Sequence, residues 1–208
     1  MFNEHSFGEV FNVSRETIDR LRIYERLLIR WNEKINLVSR STIPVIWHRH
    51  FADSAQLWQF VSNKTSLWLD FGSGAGFPSL VNAVIAKEKH PELKFLLVES
   101  DHRKCAFLSS VVRELDLSVM VDSSRIESLV PQEADIISAR AVAPLNQLLD
   151  YSYRHCHKNS ILLFPKGVNH ESELTKAQTH WHIDVGMIRS LTDSSSVILR
   201  IEGFTRVK

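Results

Sequence analysis

The sequence predicts an α/β fold. It should be a mostly parallel sheet with helices on both faces, an antiparallel C-terminal hairpin and an N-terminal helical extension. Three observations carry this. From residue 63 onward, short apolar runs alternate with helical patterns, as in parallel strands joined by crossovers. The stretch Leu67-Trp-Leu-Asp-Phe-Gly-Ser-Gly-Ala-Gly-Phe-Pro78 takes a strand through a glycine loop into a helix. Near the end, two extended runs, 183–188 and 197–204, are separated mainly by the polar turn 192–196. That link is too short for a crossover, so the two must pair antiparallel.

The elements follow in chain order. Ser14 can cap a long helix running to about Leu37, with Leu21, Tyr24, Leu27, Leu28, Trp31 and Ile35 on one face. Ser41 or Thr42 followed by Pro44 starts a second helix, which carries Ile46, Trp47, Phe51, Ala55 and Trp58 inward to about Val61. The polar link 63–66 divides a helical extension, residues 1–62, from a single compact α/β unit, residues 63–208. In that unit Leu67–Leu69 is the first strand, Asp70 ends it, and Pro78 suits a first helical position. A helix over 77–89 follows, then a strand over 95–98 with Glu99 at its tip. Asp101 caps a helix to Leu115. Strands are expected over 118–121, 135–138 and 161–164, with a helix from Pro144 through about His157. Asn169 caps a short helix whose first turn carries Glu171 and Glu173.

Composition narrows the function classes. A chain of 208 residues buries a sizeable core in one domain. With a formal net charge of +1, any nucleic-acid surface must be a local patch. Cys105 and Cys156 make no disulfide framework, which suits a reducing, cytoplasmic setting. The first residues lack the basic and apolar regions of a signal peptide, and no apolar run is of membrane-spanning length.

The glycine loop points to a nucleoside-containing cofactor. Its spacing is G-x-G-x-G, from Gly72 through Gly74 to Gly76, rather than the dinucleotide G-x-G-x-x-G. S-adenosyl-L-methionine carries no pyrophosphate, so it needs close backbone approach more than a phosphate nest. Glu99 lies roughly 20 residues on, where a carboxylate accepts both ribose hydroxyls. An ordinary glycine turn with a surface Glu is the bland alternative. A parallel sheet ending in an antiparallel hairpin is the arrangement expected of a Class I, Rossmann-like methyltransferase.

Seven segments together carry a family resemblance: Trp31-Asn-Glu-Lys-Ile-Asn-Leu37, Arg49-His-Phe-Ala-Asp-Ser54, Asp70-Phe-Gly-Ser-Gly-Ala-Gly-Phe-Pro78, Val98-Glu-Ser100, Arg125-Ile-Glu127, Ser138-Ala-Arg-Ala141 and Lys166-Gly167. In this order they resemble the bacterial small-subunit ribosomal RNA methyltransferase G family, also called glucose-inhibited division protein B. The resemblance implies methyl transfer from S-adenosyl-L-methionine to N7 of one guanosine of 16S rRNA. It implies 16S rRNA or the small-subunit ribosomal particle as partner, and the expected state is a monomer with no membrane association. It further implies that Gly72 and Phe77 line the cofactor pocket, that Ile126 and Glu127 flank the adenine, and that Arg140 reaches the cofactor or the target base. Val38 and Ser79 stand where the family often has Thr and Gly.

Other residues admit two readings. Arg15, Arg22, Arg26 and Arg30 form a stripe opposite the apolar face of the first long helix. The stripe either contacts RNA phosphates, with Arg22 and Arg26 foremost, or is a solvated face neutralised by Asp19 and Glu33. Lys166 at a strand tip is either a phosphate contact or a loop lysine. Arg140 is either a site residue or half of an ion pair with Glu127 or Asp135. Asn36, His50 and Asp53 either orient RNA or fasten the extension to the core. The scattered histidines have no structural zinc spacing, so no metal is expected. The chemistry favours guanine N7, which has a lone pair and no proton to lose, so no general base is required. No Asn/Asp-Pro-Pro-aromatic motif of exocyclic-amine methylation follows the fourth strand, and neither cysteine falls at a strand tip facing the cofactor. The alternatives are a nicotinamide oxidoreductase, a methyltransferase for another RNA or a small molecule, and a non-catalytic RNA-binding assembly protein.

Overall fold

A computed structural model describes residues 1–207. The chain opens with a helix absent from the sequence-based expectation, α1 (Glu4–Phe11). Asn3 and Ser6 cap it reciprocally, each side chain accepting from the other's backbone N–H. Ser14 does cap α2 (Arg15–Asn32), accepting from the Thr17 amide. This helix stops short of Leu37 because the Asn32 side chain turns the chain there, accepting from the amides of Leu37 and Val38. Leu21, Tyr24 and Leu28 are buried, while Leu27, Trp31 and Ile35 are half-buried.

The expected second helix is a broken run. A 3-10 segment (Arg40–Val45) contains Pro44, a π segment follows (Trp47–Ala52), and then a single α turn, α3 (Asp53–Ala55), and another 3-10 segment (Gln56–Phe60). Pro44 supplies no amide hydrogen, and such irregular helical runs concentrate at functional positions. Ile46, Trp47, Phe51 and Ala55 are buried as expected, and Trp58 is half-buried.

The sheet has seven strands in the order β3-β2-β1-β4-β5-β7-β6. These are β1 (Leu67–Phe71), β2 (Lys94–Val98), β3 (Val119–Asp122), β4 (Ala134–Ala139), β5 (Cys156–Lys166), β6 (Trp181–Arg189) and β7 (Val197–Arg206). The first five are parallel, and β7 runs antiparallel between β5 and β6. The helices are α4 (Ser79–Lys89), α5 (His102–Leu115), α6 (Leu145–Tyr153) and α7 (His170–Gln178).

Several boundaries depart from expectation. Asp70 lies inside β1 rather than at its end, because it pairs in register with Leu97 and Ser138. Pro78 is the N-cap of α4, not its first residue. The helix α6 ends at Tyr153, and β5 begins already at Cys156. Asp101 caps α5 as expected, whereas Asn169 stands at the α7 N-cap without a side-chain capping bond.

Strand alternation divides the core in two. Trp68, Ile136 and Leu163 point to a face shared with α4, α5 and the extension; Leu69, Ile137 and Leu162 point to the face covered by α6 and α7. The extension contributes Phe7, Tyr24, Leu28, Trp47 and Phe51 to the first cluster. The extension and one face of the sheet therefore share the first of these two clusters across residue 62. No helix among the described residues is long and apolar enough to cross a membrane.

Candidate active site

The site lies at the C-terminal ends of β1, β2 and β4, where open parallel sheets place their ligands. The loop after β1 carries three glycines at positive φ: Gly72 at +58°, Gly74 at +55° and Gly76 at +89°. At Gly72 a Cβ would meet Val142 Cγ2 at 2.6 Å, so the close approach there needs glycine. At Gly76 a Cβ would meet the Tyr24 hydroxyl at 2.6 Å. That hydroxyl donates to the Ala75 carbonyl, so a buried tyrosine of α2 pins the loop from below.

Glu99, just past the end of β2, is buried and braces the same loop. Its Oε2 accepts from Gly74 N at 2.9 Å and its Oε1 from Asp101 N at 2.8 Å. Gly72, Gly74, Glu99, Ile126 and Glu127 line one cavity of about 320 Å3. Glu127 accepts from the Tyr151 hydroxyl at 2.8 Å; its own backbone amide, and then this bond, hold its carboxyl below the usual range. Five of the seven residues expected around the cofactor are thus brought together.

The other two are not. Phe77 is buried beneath the loop, stacked on Tyr24 and His50. Arg140 lines a second, larger cavity of about 620 Å3, together with Arg49, His50, Asp53, Lys166 and Glu173. The segment Ala141–Ala143 borders both cavities. Ala141 sits at φ +57°, a strained value for a residue with a side chain. That turn carries the Arg140 guanidinium to the far side of the wall from the glycine loop. The ion pair considered for Arg140 also differs from expectation. Its partner is Asp53 at 3.1 Å, because Glu127 is bonded to Tyr151, and Asp135 to Ser66, Leu67 and His157.

Asp53 ties three parts of the chain together. Besides Arg140, it accepts from Thr192 Oγ1 at 2.8 Å and from Gln56 Nε2 at 3.0 Å. Gln56 in turn accepts from the Leu191 amide at 2.9 Å, and Arg49 pairs with Asp193 at 3.2 Å. The turn between β6 and β7 is therefore docked on the extension, and both border the larger cavity. Thr42, Gln56 and Thr192 gave no functional signal in the sequence, because isolated polar residues at these spacings form no motif. Lys166 faces the same cavity with its ammonium on Glu173 at 2.8 Å and on the Ala143 carbonyl at 3.1 Å.

Beneath the glycine loop, Asp70 is fully buried. Ser138 donates to its Oδ1, while its Oδ2 has no partner. Burial pushes its carboxyl up to about 6, against the lowering effect of the serine hydroxyls. The Ser138 hydroxyl also takes Trp68 Nε1 at 2.8 Å and lies 3.2 Å from the Ser79 hydroxyl.

On α2, Arg22 is committed to Glu4 and Asp19, whereas Arg26 is exposed. Local neutralisation thus describes the stripe at Arg22, with Glu4 of α1 as the partner the sequence did not suggest. Asn36 is exposed. No group of three or more His, Cys, Asp or Glu among the described residues is arranged to hold a metal ion.

A parallel sheet closed by an antiparallel hairpin, with a glycine loop and a carboxylate at adjacent strand tips, defines the class I methyltransferase fold. Solved structures share it. A putative O-methyltransferase from Klebsiella pneumoniae superposes with a TM-score of 0.61 at 12% identity, over 95% of this chain and 94% of the other. A SAM dependent methyltransferase from Aquifex aeolicus gives 0.58 at 16% identity, over 84% and 98%. The family model described as rRNA small subunit methyltransferase G matches residues 17–198. Ribosomal RNA small subunit methyltransferase G of Cereibacter sphaeroides (strain ATCC 17029 / ATH 2.4.9) is 47% identical over 196 residues, 94% of this chain and 95% of its relative. The chain belongs to the rRNA small subunit methyltransferase G family.

Proposed function

We propose that this enzyme transfers the methyl group of S-adenosyl-L-methionine to N7 of a guanosine of 16S rRNA, with the cofactor in the smaller cavity and the guanine in the larger. The observation that carries this reading is the pair of cavities meeting at Ala141–Ala143, one with glycine-loop chemistry and the other with arginine chemistry. The smaller cavity suits the cofactor. Its glycine floor allows close approach at Gly72, Glu99 supplies a carboxylate for ribose hydroxyls, and its size falls within the usual range for small ligands.

The cofactor brings a methyl group on a sulfonium sulfur. Guanine N7 forms the new N–C bond with its lone pair as the C–S bond electrons return to sulfur, and the positive charge passes to the base without release of a proton. The chain therefore needs to align and not to deprotonate. Arg140 is suited to donate to guanine O6, since an arginine keeps its proton at any working pH. Asp53 and Glu173 temper the cationic character of the cavity that receives the new charge.

The route between the cavities passes the Ala141–Ala143 segment, where Val142 rests against Gly72. Of the residues expected to contact RNA phosphates, Arg26 is exposed and Lys166 lines the larger cavity, where it would first exchange Glu173 for phosphate. The reading is tested by nucleoside analysis of 16S rRNA from cells with and without the gene. Loss of one 7-methylguanosine on deletion supports it. An unchanged 7-methylguanosine content contradicts it.

A further inference from the structure

The larger cavity contains a hydrogen-bond chain whose direction can be worked out atom by atom. It begins at Thr42. The Thr42 hydroxyl donates to the Ser39 carbonyl at 2.7 Å, so its hydrogen is spent. His50 Nε2 lies 2.8 Å from that same oxygen, which is left as an acceptor. Nε2 must therefore carry the imidazole proton, and Nδ1 is left with a bare lone pair. Arg140 Nη2 donates to that lone pair at 3.1 Å. An arginine has no acceptor, so the opposite tautomer would set two N–H groups against each other.

The Arg140 guanidinium is thereby held on three sides. Asp53 takes Nη1 at 3.1 Å, His50 takes Nη2, and the Phe77 ring lies 4.9 Å from Cζ. The imidazole itself stacks on Phe77, with ring centroids 4.8 Å apart and planes within 15°. Three of the five guanidinium N–H groups are left for the acceptor. Burial and the cations of Arg140 and Arg49 push the His50 pKa down to about 3, in keeping with a ring that stays neutral. Thr42, Phe77 and Arg140 face it from other elements, and Asp53, a carboxylate of that cavity wall, is engaged by Arg140 Nη1.

We propose that His50 is the positioning residue for Arg140: Thr42 fixes its tautomer, and its Nδ1 lone pair sets the guanidinium in the orientation that grips the target guanine. This rests on the reading that the larger cavity takes the acceptor. The extension then supplies the acceptor site with its aim, not merely with a wall.

The test uses two side chains that mimic opposite ends of an imidazole. Asn presents an oxygen near the Nδ1 position, whereas Gln presents its amide near Nε2. With the full-length enzyme, S-adenosyl-L-methionine and small-subunit particles from cells lacking the gene, His50→Gln should lower kcat at least about tenfold. KM for the particle should move little, because affinity for RNA is dominated by distributed phosphate contacts. His50→Asn should recover most of kcat. In parallel, the 15N shifts of the wild-type imidazole should show Nε2 protonated and Nδ1 bare from about pH 5 to pH 8. Equal loss in both variants, equal activity in both, or a protonated Nδ1 would each overturn the proposal. Arg140→Gln separates this failure from that of the parent reading. If it loses activity while His50→Gln does not, only the role of His50 falls. If Arg140→Gln is fully active, the acceptor reading falls and the role of His50 falls with it.

Discussion

Glu99 shows how one carboxylate serves both loop and ligand. Each of its oxygens already accepts a backbone amide, from Gly74 and from Asp101, which leaves further lone pairs for a ribose diol. Charge-assisted bonds of this kind are worth about 1.5–3 kcal/mol each. Glu99→Ala should weaken S-adenosyl-L-methionine binding at least about tenfold. Calorimetry reads this directly, and an unchanged affinity would remove Glu99 from the cofactor site. Asp70, one strand over, makes a different prediction. Its carboxyl is raised from 3.8 to about 6 by burial. Between those values the native state keeps a proton that the unfolded chain has released. The contribution of Asp70 to stability therefore falls as pH rises through the window and is flat above it. Asp70→Asn cannot titrate and keeps an acceptor for Ser138. Its stability relative to wild type should grow between roughly pH 4 and pH 6, to a plateau of at most ~3 kcal/mol. Urea denaturation at several pH values checks this; a constant difference would mean an ordinary carboxyl.

At the scale of elements, α2 supports the glycine loop from outside the sheet. Tyr24 is fully buried, donates to the Ala75 carbonyl and packs on Phe51, Phe77 and Phe107. Tyr24→Phe keeps the ring and removes one bond. It should cost about 1–2 kcal/mol in chemical denaturation, because the Ala75 carbonyl loses its partner. It should also weaken cofactor binding, since the loop is then held on one side only. Unchanged cofactor affinity would show that Glu99 alone sets the loop. The sequence made the loop and its flanking strands legible because glycine spacing and apolar runs are local signals. It could not reveal the broken helical run over 40–60. There the apolar spacing of Ile46, Trp47, Phe51 and Ala55 suits a helix, and the 3-10 and π segments answer to tertiary packing and to Pro44. The side of the wall that Arg140 takes was equally illegible. It depends on Ala141 adopting a left-handed conformation, which alanine does not signal. The Asp53 network with Thr192 and Gln56 joins residues more than 130 positions apart, beyond any local pattern.

At the scale of the whole molecule, the parallel sheet brings one ligand to its strand tips. The extension and the C-terminal hairpin enclose a second space beside it. The groups lining that space are arranged for alignment. Arg140 and Arg49 line it as hydrogen-bond donors, and His50 is held neutral by its low pKa. Single-turnover rates with saturating cofactor and RNA should therefore be nearly flat from about pH 6.5 to pH 8.5. A rate that rises steeply with pH would reveal a titrating base and a different acceptor atom. Methylation at guanine N7 leaves a product whose chemistry can be read at the modified nucleotide itself. A 7-methylated guanosine becomes labile to borohydride and aniline, which cleave the RNA chain at that nucleotide. Small-subunit particles from cells lacking the gene should be incubated with the purified enzyme and S-adenosyl-L-methionine before this treatment. A single new cleavage in 16S rRNA that requires both enzyme and cofactor is the expected result. Methyl incorporation without cleavage, with digestion yielding a guanosine methylated on its exocyclic amine, would contradict it.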